Sequence, residues 1–299
     1  MANLAFYTVT ILIWGSTWLA IKYQLGAVDP MLSVAYRFTL AALLLLCWCL
    51  LARLPMRYSR QDHLFMALQG VLLFALNYLF FYLAELHITS GLAAVVFSLI
   101  VIMNLINGSL FLKTPVEMRV LAGGGLGLAG LMLLFWPELA AFDLSDRGIY
   151  GLLLCVLATY LASLGNIVSA RNQQHRLPVV QTNAYGMSYG ALFMFLVAWL
   201  AHAPLSFDLS FEYLGALAYL SLFGSVIAFG CYLTLIGRVG AGRAAYVTLL
   251  FPVVALGIST VAEGYRWNLP AFAGLLLILG GNALAMLRPK RQALTGKTY

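Results

Sequence analysis

The stretch LFMALQGVLLFALNYLFFYLAE, residues 64–85, carries one charge, Glu85, at its last position. A helix rising 1.5 Å per residue needs about 20 mostly apolar residues to cross a hydrocarbon layer about 30 Å thick. This segment therefore has the length and chemistry of a membrane span. Nine further stretches read the same way, near 4–25, 31–51, 90–112, 119–137, 148–170, 179–201, 212–236, 241–262 and 270–287. Between them lie loop signals such as Asp29-Pro30, Arg53 to Asp62, Lys113-Thr114-Pro115 and Arg171 to Pro178. Composition agrees: 63% of the 299 residues are apolar, 9% are charged, and the mean hydropathy is +0.93. Soluble domains carry about 25% charged residues, so here the bilayer must serve as the apolar solvent. The fold class expected is an all-α membrane protein of ten transmembrane helices.

Loop charges orient the chain, because cytoplasmic loops retain Lys and Arg during insertion. With both termini cytoplasmic, Arg53, Arg57, Arg60, Lys113, Arg119, Arg171, Arg176, Arg238, Arg243, Arg288, Lys290, Arg291 and Lys297 fall inside, 13 of the 17 basic residues. The net charge of +7 is then a topology signal and calls for no nucleic-acid partner. The apolar N-terminus has no Lys or Arg before it and no small-residue cleavage site after it, and reads as a retained first helix.

The chain repeats itself. A shift of 150 residues aligns Tyr82-Leu83 with Tyr232-Leu233, Ala94 with Ala244, Leu99 with Leu249, Gly124 with Gly274, Gly130 with Gly280 and Leu134 with Leu284. Residues 1–137 form a first five-helix repeat, 138–147 a periplasmic connector, 148–288 a second repeat and 289–299 a basic cytoplasmic tail. Five spans is an odd number, so the second copy is inverted relative to the first, and a central cavity between them is expected. Exchange of conformation between inverted halves is the physical basis of alternating access, which favours a carrier over a channel.

These features resemble the EamA-type drug/metabolite transporter superfamily over nearly the whole chain, and its aromatic amino-acid exporters in particular. The resemblance rests on Trp14-Gly15-Ser16 with Lys22, on Tyr36-Arg37-Phe38 and on Ile88-Thr89-Ser90-Gly91-Leu92-Ala93-Ala94. In the second half it rests on Gly240-Ala241-Gly242-Arg243-Ala244-Ala245, Pro252-Val253, Glu263, Gly274 and Gly280. It implies export of metabolites such as amino acids from a bacterial inner membrane, although sugar, nucleoside and drug carriers share the superfamily. Family members commonly place a proline in span four and a Glu after it. Here Ile102 and Lys113 stand opposite Pro252 and Glu263, so a hinge at Pro252 alone is expected.

Polar side chains inside apolar spans are the candidate site. Trp14 and Trp18 in span one, Asn77, Tyr78 and Tyr82 in span three, Asn104 in span four, Ser163 and Asn166 in span six, Tyr232 in span eight and Tyr246 in span nine are assigned to a substrate cavity. Such a lining offers hydrogen bonds to an ammonium and a carboxylate, and ring faces for cation–π contact. The competing reading makes them interhelical hydrogen-bond partners and interfacial aromatics. Lys22, Arg37, Glu85 and His87 are placed at the outer mouth. Arg37 serves either a substrate carboxylate or an ion pair with Asp29 or Glu85. Energy coupling is either absent, as in a uniporter, or runs through Glu85 or His87.

Other chemistry lacks its parts. Cys47, Cys49, Cys155 and Cys231 lie in apolar runs without CxxC spacing, and no histidine has metal-ligand spacing, so no metal or cofactor is expected. HExxH and Walker motifs are absent, which leaves a membrane enzyme and a channel as remote alternatives. No carboxylate lies at mid-span, which argues against a multidrug cation antiporter. The glycines of spans five, seven and ten read as helix-packing positions. A monomer is expected, with lateral dimerisation left open.

Overall fold

The computed structural model describes residues 2–24, 28–142, 145–262 and 268–286, and in these no β-strand occurs. The expected sites on Trp18 and Lys22 fall on side chains outside this description, as does Glu263. The long helices are α1 (Ala2–Lys22), α2 (Pro30–Leu51), α3 (Arg60–Glu85), α4 (Ser90–Leu112), α5 (Met118–Leu134), α6 (Asp146–Gln174), α7 (Val179–Leu200), α8 (Phe211–Val239), α9 (Ala241–Ile258, running on to Ala262) and α10 (Leu269–Met286). Eight of these, α2–α4 and α6–α10, are long and apolar enough to cross a membrane, and α5 is a shorter apolar helix.

Helix starts follow from capping chemistry. Ser59 accepts from the Asp62 amide while the Asp62 carboxylate accepts from the Ser59 amide, a closed capping box at the head of α3. Asp29, Thr89, Ser145 and Ser210 cap α2, α4, α6 and α8 as single N-caps, each side chain accepting from one backbone N–H of the first turn. The fifth span is shorter than the expected 119–137. It stops at Leu134 and a one-turn helix, Trp136–Ala140, follows with Pro137 in it. Proline has no N–H to continue the ladder, which gives the reason.

Two irregularities recur at corresponding places. Residues Gly70–Leu76 of α3 and Leu220–Ile227 of α8 are π-helical, and the shift between their starts is the same 150 residues. Short breaks also divide α4 at Ser98-Leu99 and α9 at Ala245-Tyr246. π-Helical turns inside α-helices mark functional sites often enough to single out α3 and α8.

The packing has a matching symmetry. The most extensive contacts are α5 with α10, α3 with α6 and α2 with α7, followed by α3 with α7, α1 with α8, α4 with α6 and α1 with α9. Replacing every helix by the one five places along the chain maps α3–α6 onto α8–α1, α4–α6 onto α9–α1 and α3–α7 onto α8–α2. At the α5–α10 seam a Cβ on Gly123 would lie 2.5 Å from the Gly281 carbonyl oxygen, and one on Gly130 would lie 2.6 Å from that of Gly274. The head of α5 thus meets the tail of α10, and the two helices run antiparallel. Outside, Leu51 and Trp199 are 82% and 72% exposed, as a lipid-facing surface requires.

Candidate substrate cavity

A central cavity of about 140 Å³ lies among α1, α2, α3, α4, α6, α8 and α9. It runs from Glu85, at the last turn of α3, down to Asn166 and Tyr232. Trp14, Asn77, Tyr78, Tyr82, Asn166 and Tyr232, six of the ten residues assigned from sequence to the cavity, line it. Asn77, Tyr78 and Tyr82 share one face of the α-helical piece Asn77–Glu85 that follows the π-helical turn. Phe81, Phe97, Phe229 and Phe251 complete the wall with Thr17 and Thr248. The phenylalanines were not singled out in the sequence, because an inward Phe reads the same as a lipid-facing one.

The aromatic wall is a packed assembly. Trp14 meets Phe229 edge-on at 5.1 Å between centroids, Tyr232 at 5.0 Å and Phe251 at 6.5 Å. Its indole N–H donates to the Gly224 carbonyl at 3.2 Å, which fixes α1 to the π-helical turn of α8. Phe38 sits behind Tyr78, 5.1 Å away.

Arg37 is 3% exposed and lines the same cavity. Its Nε donates to Ser225 Oγ at 2.9 Å, and its guanidinium carbon lies 5.1 Å from the centre of the Tyr78 ring and 5.5 Å from that of Phe38. The ion pair with Asp29 or Glu85, one of the two alternatives the sequence left open, does not form among the described residues. Asp29 caps α2 instead, with its carboxylate accepting from the Met31 amide. Glu85 is half-buried at the cavity rim.

The remaining sequence candidates lie elsewhere. His87 is exposed and packs against Tyr150 at 5.5 Å, away from the cavity. Ser163 is buried and accepts a 2.9 Å hydrogen bond from Asn107, an interhelical contact between α6 and α4. Tyr246 donates to the Val120 carbonyl and so ties α9 to α5. Pro252 lies inside α9 next to the cavity residue Phe251 and leaves the Thr248 carbonyl without its helical donor.

Asn104 belongs to a second, more polar cavity of about 290 Å³ at the opposite end, together with Thr114, Glu117, Gln173, Gln174 and Arg243. Arg243 and Glu117 form an ion pair there. A thin layer separates the two cavities. Asn166 Nδ2 donates to Tyr232 Oη at 3.0 Å and reaches Asn104 Oδ1 at 3.5 Å, while Asn104 Nδ2 donates to the Ala241 carbonyl at 3.1 Å. The layer joins α4, α6, α8 and α9 by side-chain hydrogen bonds, which can break and re-form at modest cost.

Comparison with known proteins fits this arrangement. A model of the EamA-like transporter family matches the chain twice, at residues 3–136 and 149–287. The chain is 30% identical over 283 residues to the Escherichia coli K12 inner membrane transporter YedA, covering 90% of this chain and 88% of that one. It is 24% identical over 281 residues to Protein PagO of Salmonella typhimurium, covering 91% of each. One solved structure, 22% identical, superposes with a TM-score of 0.79 over 95% of this chain and 96% of its own, and so has the same fold.

Proposed function

The chain belongs to the EamA-like transporter family, and we propose that this multi-pass inner-membrane transporter is a secondary carrier exporting small metabolites, amino acids first among them, by alternating access. The observation that carries this reading is the pair of cavities stacked end to end, parted by the Asn104–Asn166–Tyr232 layer. A carrier needs a solute site with a closable barrier on either side; a pore needs one continuous path.

The reading takes the ten long helices as spans and residues 1–137 and 148–288 as two inverted five-helix repeats. Three observations support it. The family model matches twice, the π-helical turns recur at a 150-residue shift, and the helix contacts map onto themselves under a five-helix exchange. The antiparallel α5–α10 seam supports inversion, since these are the fifth helix of each copy. With both termini cytoplasmic, the cavity reaching Glu85 is the outer vestibule and the one holding Arg243 the inner. Pro252, inside α9 and beside the cavity, is the hinge of the second copy.

Amino acids are favoured because the central cavity combines a buried guanidinium, two amides and an aromatic wall. A second reading, a carrier of hydrophobic amines, draws on Glu85 at the rim of that wall. Proteoliposomes preloaded with unlabelled amino acid test both. Counterflow of labelled aromatic amino acid, saturable and competed by its neighbours, is expected. Vesicles that move no amino acid in either direction sink the substrate assignment.

A further inference from the structure

The central cavity holds three buried polar groups that the protein leaves incompletely satisfied, and their chemistry is complementary to one kind of ligand end. We propose that the site binds the α-amino-acid group in a fixed polarity, the carboxylate on the Arg37 guanidinium and the ammonium on the amide oxygens of Asn77 and Asn166. This rests on the amino-acid reading above and says which residues would enforce it.

Arg37 comes first. Its guanidinium donates from Nε to Ser225 Oγ, has the Tyr78 hydroxyl as a second neutral partner, and makes no ion pair among the described residues. A cation taken out of water needs a counter-charge, because its desolvation is not offset by neutral hydroxyls and ring faces. Space is kept for it: a Cβ on Gly224 would lie 3.1 Å from Arg37 Nη2. A planar fork with free N–H groups in a cavity is suited to a carboxylate, which accepts two parallel hydrogen bonds from it.

The amides supply the other pole. Asn77 and Asn166 are 6% and 0% exposed, and the Oδ1 of each is buried without a hydrogen-bond partner. Buried acceptors are nearly always paired, so two orphans lining one cavity call for a donor from a ligand. The two lie on one seam. A Cβ on Gly165, the residue before Asn166, would come within 2.7 Å of Leu73 Cβ, one turn before Asn77. Asn166 Nδ2 is already committed to Tyr232 and Asn104, which leaves its oxygen as the free atom.

Glu85 is the alternative ammonium partner, and it stands further along α3 than the amides. The Arg37 guanidinium lies over Tyr78, next in the chain to Asn77, whereas Glu85 is seven residues further along α3. That is roughly 10 Å of helix. The carboxylate and ammonium of an α-amino acid hang from a single carbon, so a ligand held by Arg37 presents its ammonium beside Asn77.

The test is binding to the full-length protein in detergent or nanodiscs, measured by calorimetry. Three probes differ only at the end group: phenylalanine, phenethylamine without the carboxylate, and 3-phenylpropionate without the ammonium. The wild type is expected to bind phenylalanine at least tenfold more tightly than either. Arg37→Gln is expected to erase the preference over phenethylamine while leaving phenethylamine affinity within about threefold, and Asn77→Ala to narrow the preference over 3-phenylpropionate. A wild type that prefers phenylalanine, with Arg37→Gln retaining the full carboxylate preference, overturns the residue assignment and leaves the amino-acid reading standing. A wild type that binds phenethylamine as tightly as phenylalanine overturns the amino-acid reading and the assignment with it, with no variant required.

Discussion

Alanine placed at Gly130 has to force α5 and α10 apart, whereas alanine at Gly125, five residues earlier in the same helix, meets nothing. A Cβ at Gly130 would lie 2.6 Å from the Gly274 carbonyl oxygen and 2.8 Å from the Ile278 amide nitrogen. Both are backbone atoms of α10 and cannot swing aside. A Cβ at Gly125 has nothing within 4 Å. Each variant gains about 1 kcal/mol from the helix propensity of alanine over glycine. Gly130→Ala also carries an overpacking cost of about 1–3 kcal/mol. The two variants should therefore differ by about 1–3 kcal/mol in stability, or roughly 2–6 °C in Tm at about 2 °C per kcal/mol for a chain of this size. Thermal unfolding of each purified variant in the same detergent measures it. Gly274→Ala, which would meet the Gly130 carbonyl, repeats the clash from the other side. The double variant Gly130→Ala/Gly274→Ala should cost less than the sum of the singles, since one separation relieves both contacts. Neither α5 nor α10 lines the central cavity, so substrate binding per folded molecule should be unchanged. Equal melting temperatures for Gly125→Ala and Gly130→Ala would refute the close approach of the two helices.

Glu85→Gln is expected to remove any stimulation of transport by a pH gradient while counterflow stays within about twofold, because Glu85 lines the cavity and His87 does not; gradient-driven uptake by proteoliposomes measures it, and a variant that still responds to the gradient would clear Glu85 of coupling. Tyr232→Phe takes away the acceptor of the 3.0 Å bond from Asn166. Such interhelical bonds average about 0.6 kcal/mol in membranes, so a Tm loss of about 1–2 °C is expected by thermal unfolding, and an unaltered Tm would mean that the layer is not closed in the resting state. Glu117→Gln breaks the pair with Arg243, whose side chains are 30% and 43% exposed for Arg243 and Glu117. A pair that exposed contributes at most about 1 kcal/mol, or about fivefold in an opening equilibrium. Maleimide labelling of Thr114→Cys in the cavity that holds Arg243 should speed up by no more than that factor, and slower labelling would show that the pair does not hold that cavity shut.

The helical, membrane-spanning character was legible because a span is written in one dimension: length, apolarity and flanking charge suffice, and the π-helical turns of α3 and α8 recur at the 150-residue shift read from the sequence. The site was legible only as a set. Asn77, Tyr78 and Tyr82 line the central cavity, since three polar or amphipathic residues on one face of an apolar helix have few other places to go. Asn104 and Ser163 looked the same in the sequence, yet one lines the opposite cavity and the other bonds Asn107. Which way a residue faces depends on helix phase, and phase here is reset by the π-helical turns in α3 and α8 and the breaks in α4 and α9, none of which has a sequence signature of its own. The surroundings of Arg37 were hidden for a different reason. Ser225 and Gly224 stand almost two hundred residues away on α8, in the π-helical turn whose twin in α3 lies directly before Asn77. The two irregular turns thus sit beside the two proposed poles of the cavity, Gly224 and Ser225 leaving room and a hydroxyl for the guanidinium, and Gly165 letting α6 approach Leu73 closely enough to bring Asn166 alongside. A regular α-helix at either place would turn the residues after it by about 100° per residue displaced, and the charged and amide groups would no longer face one solute.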